Sequence, residues 1–178
     1  PEILLQGIVC MIAKVDDAEE TGEHRPIVVL AVIYRIWACA RAAQMLTQIA
    51  AWAPNGVCGF LKGKEASDIW YYISMMVEKA HLTKEVLNGG VVDLVKAFNR
   101  IPRKYAFEVL RHVGVPDWMV DCWSRALKGL KRRFRTFDSL GEPWQSCTGF
   151  PEGDPLSVVA MVVISIVFVD GLEMDVPG

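Results

Sequence analysis

The chain has 178 residues, 52 % of them hydrophobic and 22 % charged, which excludes a disordered segment and allows one domain with its own core. A net charge of −2 excludes the overall basicity that marks many nucleic-acid-binding domains. Five cysteines without a Cys-x-x-Cys spacing argue against a disulfide framework and a zinc site, and fit a reducing intracellular compartment, nuclear or cytoplasmic.

In chain order, residues 7–15 are β-branched and apolar and predict a strand. An acidic loop follows, turning at Gly22. After Pro26 the chain reads as extended, then as a helix from about Val32 to Ala51, which Pro54, Asn55 and Gly56 end. A glycine-punctuated basic loop leads to Ser67, a plausible N-cap. Beyond it Ile69, Tyr72, Ile73, Met76, Val77 and Ala80 recur at helical spacing and predict one apolar face. Asn88-Gly89-Gly90 reads as a turn, and residues 91–94 as a short buried strand ending near Asp93. Pro102 sits in the first turn of a helix that Gly114 closes. Pro116 and Asp117 start another, with Trp118, Cys122, Trp123, Ala126, Leu127 and Leu130 on its apolar side. Residues 132–137 predict a strand, residues 139–143 a hairpin turn, and residues 144–147 its partner. From Ser157 a buried helix is expected; the apolar run 158–169 is too short to span a bilayer. No repeat or linker appears, so the reading is one α+β domain.

Mean hydropathy is high, at +0.26. A large core explains it, and so does an apolar face that a further segment covers. The chain begins at Pro1 rather than Met, without a signal-like leader, so a fragment is expected. Charge is uneven: six acids between residues 2 and 23 accompany one base, Lys14, whereas residues 128–135 hold five bases and no acid. Such a run either binds phosphate or is a solvated turn.

Asp93 ends an apolar stretch, where a carboxylate needs a partner or a task. A lone Asp there also serves as a strand-end cap. Its context is Asp93-Leu94-Val95-Lys96-Ala97-Phe98, which resembles motif A of reverse transcriptases of the non-LTR retrotransposon and group II intron type. The resemblance implies that Asp93 is catalytic and holds magnesium, a hard cation that prefers carboxylate oxygen. It makes Phe98 the aromatic gate that collides with a ribose 2′-hydroxyl. Gly149-Phe150-Pro151-Glu152-Gly153-Asp154-Pro155-Leu156-Ser157 resembles motif B, usually Gly-x-Pro-Gln-Gly-x-Pro-Leu-Ser, which places Glu152 and Gly153 beside the incoming nucleotide. Glu152 stands where Gln is usual; a carboxylate only accepts hydrogen bonds and repels a triphosphate. Asn99 stands where Asp is usual. Lys14 and the Arg25-Pro26-Ile27 segment resemble the fingers, where a Lys and an Arg contact the triphosphate, the Arg through its fork. Residues 59–64 resemble the family's Gly-Phe-Arg-x-Gly segment at the template, with Lys62 and Lys64 as contacts and Leu61 where a base is usual.

The resemblance spans about residues 7 to 175 and implies the fingers (about 1–90) and first part of the palm (about 91–178) of a right-hand polymerase fold, a single incomplete reverse transcriptase domain. The complete protein would add deoxynucleotides to a DNA primer on an RNA template, with Mg2+ and no membrane. Phe168-Val169-Asp170-Gly171 superficially resembles the aromatic-x-Asp-Asp motif, but follows Ser157 too closely and lies in an apolar helical run. The C-terminal palm and thumb are therefore read as missing. Two-metal transfer needs ions about 3.5–4 Å apart, which Asp93 alone cannot fix, so the isolated chain is expected to be inactive. A decayed or repurposed copy that binds RNA or a partner through Lys62, Lys64 and residues 128–135 is the alternative. A helical interaction protein without a nucleic-acid role explains the apolar helices but not the motifs.

Overall fold

A computed structural model describes residues 2–175. Strand β1 (Gln6–Ala13) carries the β-branched run and pairs antiparallel with β2 (His24–Leu30), across the acidic loop. The helix from Val32 forms as expected: α1 (Val32–Ala50) buries Ala38, Ala42, Met45 and Ile49, spaced to lie on one face. Helix α2 (Ala66–Thr83) and the four-residue α3 (Ala97–Arg100) follow, then α4 (Arg103–His112) and α5 (Asp117–Gly129). Strand β3 (Lys131–Thr136) pairs parallel with β1 and antiparallel with the short β4 (Ser139–Leu140), so the sheet order is β2-β1-β3-β4. Helix α6 (Pro155–Asp175) closes the described chain and packs on α1 and α4. The mixed architecture agrees with a fingers-and-palm fragment.

One core joins both ends of the sequence. Phe107, Trp123 and Phe150 form its aromatic centre, with centroids 5.2–5.9 Å apart in tilted and edge-on pairs. Leu156, Val159, Ala160, Val162, Val163 and Ile166 of α6 are buried around them. The two halves of the chain therefore share both a sheet and a core.

Several expectations are corrected. Residues 91–94 form no strand and are exposed, Val91 completely, because no described strand offers them an edge to pair with. Helix α2 buries none of its residues, so its expected apolar face lies open. Its cap is Glu65, not Ser67: Asp68 accepts the Glu65 N–H at 2.8 Å in a capping box. In α5 the buried face is Met119, Val120, Trp123 and Leu127, while Trp118 and Cys122 face outward. Pro102 is the N-cap of α4 rather than part of its first turn, and Gly114 closes the helix with φ +87°. The hairpin turns at Phe137-Asp138, because residues 139–140 already pair back onto β3; Trp144 contributes only a bridge to Arg132. Leu61 is a core residue, 3 % exposed, so its apolar identity reflects packing rather than a lost template contact. The apolar run lies within a longer helix: residues Pro155–Leu172 are long and apolar enough to cross a membrane by length and composition, and 39 % of that stretch is buried inside the fold. Phe168 to Gly171 lie within α6, as expected, and form no hairpin.

Candidate functional site

Two hydrogen bonds sew motif A to motif B. The Phe150 N–H donates to the Phe98 carbonyl at 2.6 Å, and the Gly149 N–H to the Ile101 carbonyl at 3.1 Å. The closeness demands glycine: a Cβ on Gly149, at φ +67°, would lie 2.2 Å from the Asn99 carbonyl oxygen. Arg103, itself buried, clamps the same turn by donating to the carbonyls of Gly149 at 2.6 Å and Thr148 at 3.3 Å. Burial also lowers the Arg103 pKa.

The other side of the motif B loop rests on β2. The Val28 N–H donates to the Glu152 carbonyl at 2.6 Å, and a Cβ on Gly153, at φ +110°, would lie 2.5 Å from the Val28 carbonyl oxygen. At the start of α6 the Ser157 hydroxyl donates to the Pro151 carbonyl at 2.9 Å, and Asp154 accepts the Leu156 N–H at 3.1 Å. The loop thus fixes its backbone from three directions.

These ties line a cleft of about 1070 Å³. It brings together Lys14, Arg25, Asp93, Phe98, Glu152 and Gly153, which come from four separate stretches of chain. Lys62 and Lys64 do not line it. Lys62 is exposed, and the Lys64 ammonium donates to the carbonyls of Pro54 at 3.2 Å and Val57 at 3.3 Å, shaping its own loop. That loop reaches the cleft through Phe60 instead, an exposed ring held at φ +62°. Lys14 donates to the Gly22 carbonyl at 3.0 Å across the acidic loop. There the N–H groups of Glu20 and Glu19 hold the Glu23 carboxyl below its usual pKa. Glu152 accepts from the Asn99 amide at 2.8 Å and stands 4.0 Å from the Arg25 guanidinium.

Sequence reasoning missed the polar cluster beneath the loop. Asp154 is 2 % exposed, and its other oxygen accepts from the Tyr34 hydroxyl at 3.1 Å. Burial raises its pKa to about 6 against the pull of the Leu156 N–H, Tyr34, the Trp123 indole and Arg132. The indole N–H of Trp123 acts there as a nearby dipole, since it makes no hydrogen bond of acceptable geometry. Burial and the Asp154 carboxylate push Tyr34 up. Burial, then the neighbouring Arg103, lowers Arg132 to about 10; its guanidinium lies 5.3 Å over the Trp144 ring. Asp154 occupies a variable position of the motif, and Arg132 sat inside a charge run, so neither carried a local signal.

The sequence model described as Reverse transcriptase (RNA-dependent DNA polymerase) matches residues 12–173. The chain belongs to this family. A search of curated proteins gives no match. Reverse transcriptases generally use divalent metal, and the donor set decides how far this one can. Among the described residues no three His, Cys, Asp or Glu side chains are grouped to hold an ion. Asp93, Glu152 and Asp154 all line the cleft, but Glu152 is held by Asn99 and Asp154 is buried against Tyr34, so the residues present do not fit a two-ion centre.

Proposed function

We propose that this reverse transcriptase domain supplies the nucleotide-binding half of an RNA-directed DNA polymerase from a non-LTR retrotransposon or group II intron type of element. The observation that carries this reading is the convergence of Lys14, Arg25, Asp93, Phe98 and the turn at Gly153 on one cleft. Lys14 and Arg25 would pair with the triphosphate, the guanidinium through two donors. Phe98, half-buried beside the backbone that it shares with motif B, would meet the sugar. Gly153 has no side chain, so backbone can approach the nucleotide base. Asp93 would provide one magnesium ligand. Lys62, exposed near Phe60, would touch the template, and Lys64 would hold the shape of that loop. Residues 1–90 would serve as fingers and 91–178 as palm.

A titration of the chain with a deoxynucleoside triphosphate tests the reading. Binding is expected, with loss of about tenfold in Arg25→Ala, the scale of one charge-assisted phosphate contact. Absence of binding, or an unaffected Arg25→Ala variant, would overturn it. Because the carboxylates of the described residues are not grouped to hold an ion, the chain alone is expected to extend no primer. A magnesium-dependent extension product that disappears in Asp93→Ala would refute that expectation.

A further inference from the structure

Asn99 and Glu152 are the two positions where motifs A and B depart from the usual residues, and they touch. The Asn99 amide donates to the Glu152 carboxylate at 2.8 Å, across 53 positions of sequence. The usual residues there, Asp and Gln, would make the same bond with the amide on the motif B side and the carboxylate on the motif A side. Here the donor and acceptor have changed places.

The backbone keeps the two side chains opposite each other. Phe98 and Ile101, flanking Asn99, accept from Phe150 and Gly149, and the Glu152 carbonyl accepts from Val28. An Asp at 99 facing a Glu at 152 would put two carboxylates at hydrogen-bond distance without a proton to share. Two amides would still bond, but would leave the cleft without this negative charge. The second Glu152 oxygen stands 4.0 Å from the Arg25 guanidinium, on the wall where both line the cleft.

We propose that Asn99 and Glu152 are a reciprocal exchange of acid and amide. It keeps the bond between motif A and motif B while moving the negative charge next to Arg25, where the Glu152 carboxylate competes with a phosphate for the guanidinium. The competition rests on the nucleotide-binding reading of the cleft; the exchange itself does not. Arg25 is 64 % exposed, so water weakens its pairing with Glu152 and the competition is modest.

Four proteins decide the matter: wild type, Asn99→Asp, Glu152→Gln and the double variant. Thermal melting reads the exchange. Asn99→Asp is expected to lower Tm by about 3–6 °C, and adding Glu152→Gln to restore it to within about 2 °C of wild type. Loss of a merely structural side chain would not be restored by a second substitution, so a double variant that melts as low as Asn99→Asp overturns the exchange. Titration with inorganic triphosphate reads the competition. Glu152→Gln is expected to bind about two- to fivefold tighter than wild type, with the gain shrinking as salt is raised. Equal affinities overturn the competition. If neither protein binds triphosphate, the cleft reading and the competition fall together, while the melting cycle still decides the exchange on its own.

Discussion

Across the cleft, residues 149–157 and residues 84–95 meet the same space in opposite conditions. The first segment is tied by backbone bonds to α3 and β2, clamped by Arg103 and plugged into the aromatic core by Phe150. The second, with α2 before it, buries nothing: every residue from 81 to 96 is exposed. Both line the cleft. The difference lies in what each needs. A glycine-rich turn satisfies its polar groups locally and with neighbours already in the core, whereas an apolar stretch such as Val91-Val92 gains order only when an edge strand pairs with it.

Stability measurements can break that comparison. Phe150→Ala is expected to cost about 3–5 kcal/mol in urea unfolding, because it hollows the aromatic centre. Gly149→Ala should cost about 3 kcal/mol, since its Cβ meets the Asn99 carbonyl and φ is positive. The matched change on the other side, Gly89→Ala, finds nothing within 4 Å and should stay within about 0.5 kcal/mol. Near-equal effects of the two alanines would show that the segments are equally ordered.

The buried carboxylate sharpens the same contrast through pH. Asp154 binds its proton more tightly folded, at about 6, than unfolded, at the ordinary 3.8. Its contribution is therefore most favourable below pH 4 and is lost as pH rises through 6. Relative to Asp154→Asn, the wild type should lose roughly 2–3 kcal/mol of stability between pH 4 and pH 7. A constant difference over that window would contradict the buried cluster. The smallest effect is expected on α2: Ile73→Ser should leave the unfolding midpoint unchanged within about 0.5 kcal/mol, as for an exposed position. A large loss there would mean that the helix face is covered in solution.

Much of this was readable in advance, for local reasons. Helix α1 lies within a residue of its expected limits because alanines, then Pro54 and Gly56, set it without outside help. The motif B loop is found where its glycines and prolines place it, since few sequences tolerate that backbone. What misled were features that depend on a neighbour. The spacing of Ile69, Tyr72 and Met76 predicts a face but not anything to cover it. Residues 91–94 have strand composition without a partner. Trp118 and Leu61 exchanged their expected roles because burial is decided by the far side of the fold. The link between Asn99 and Glu152 was invisible until both were seen in space, although each had already stood out alone.

The parallel pairing of β1 with β3 bears on how the chain folds. Strand β1 finds β2 at once through a short loop, but β3 arrives only after more than half of the chain has followed. Until then the hairpin carries a free edge of unpaired N–H and C=O groups, the same edge that a second nascent chain can occupy. Such sequence-distant pairing slows folding. Recovery of folded protein from denaturant should therefore fall as protein concentration rises, with β1 the segment through which copies join.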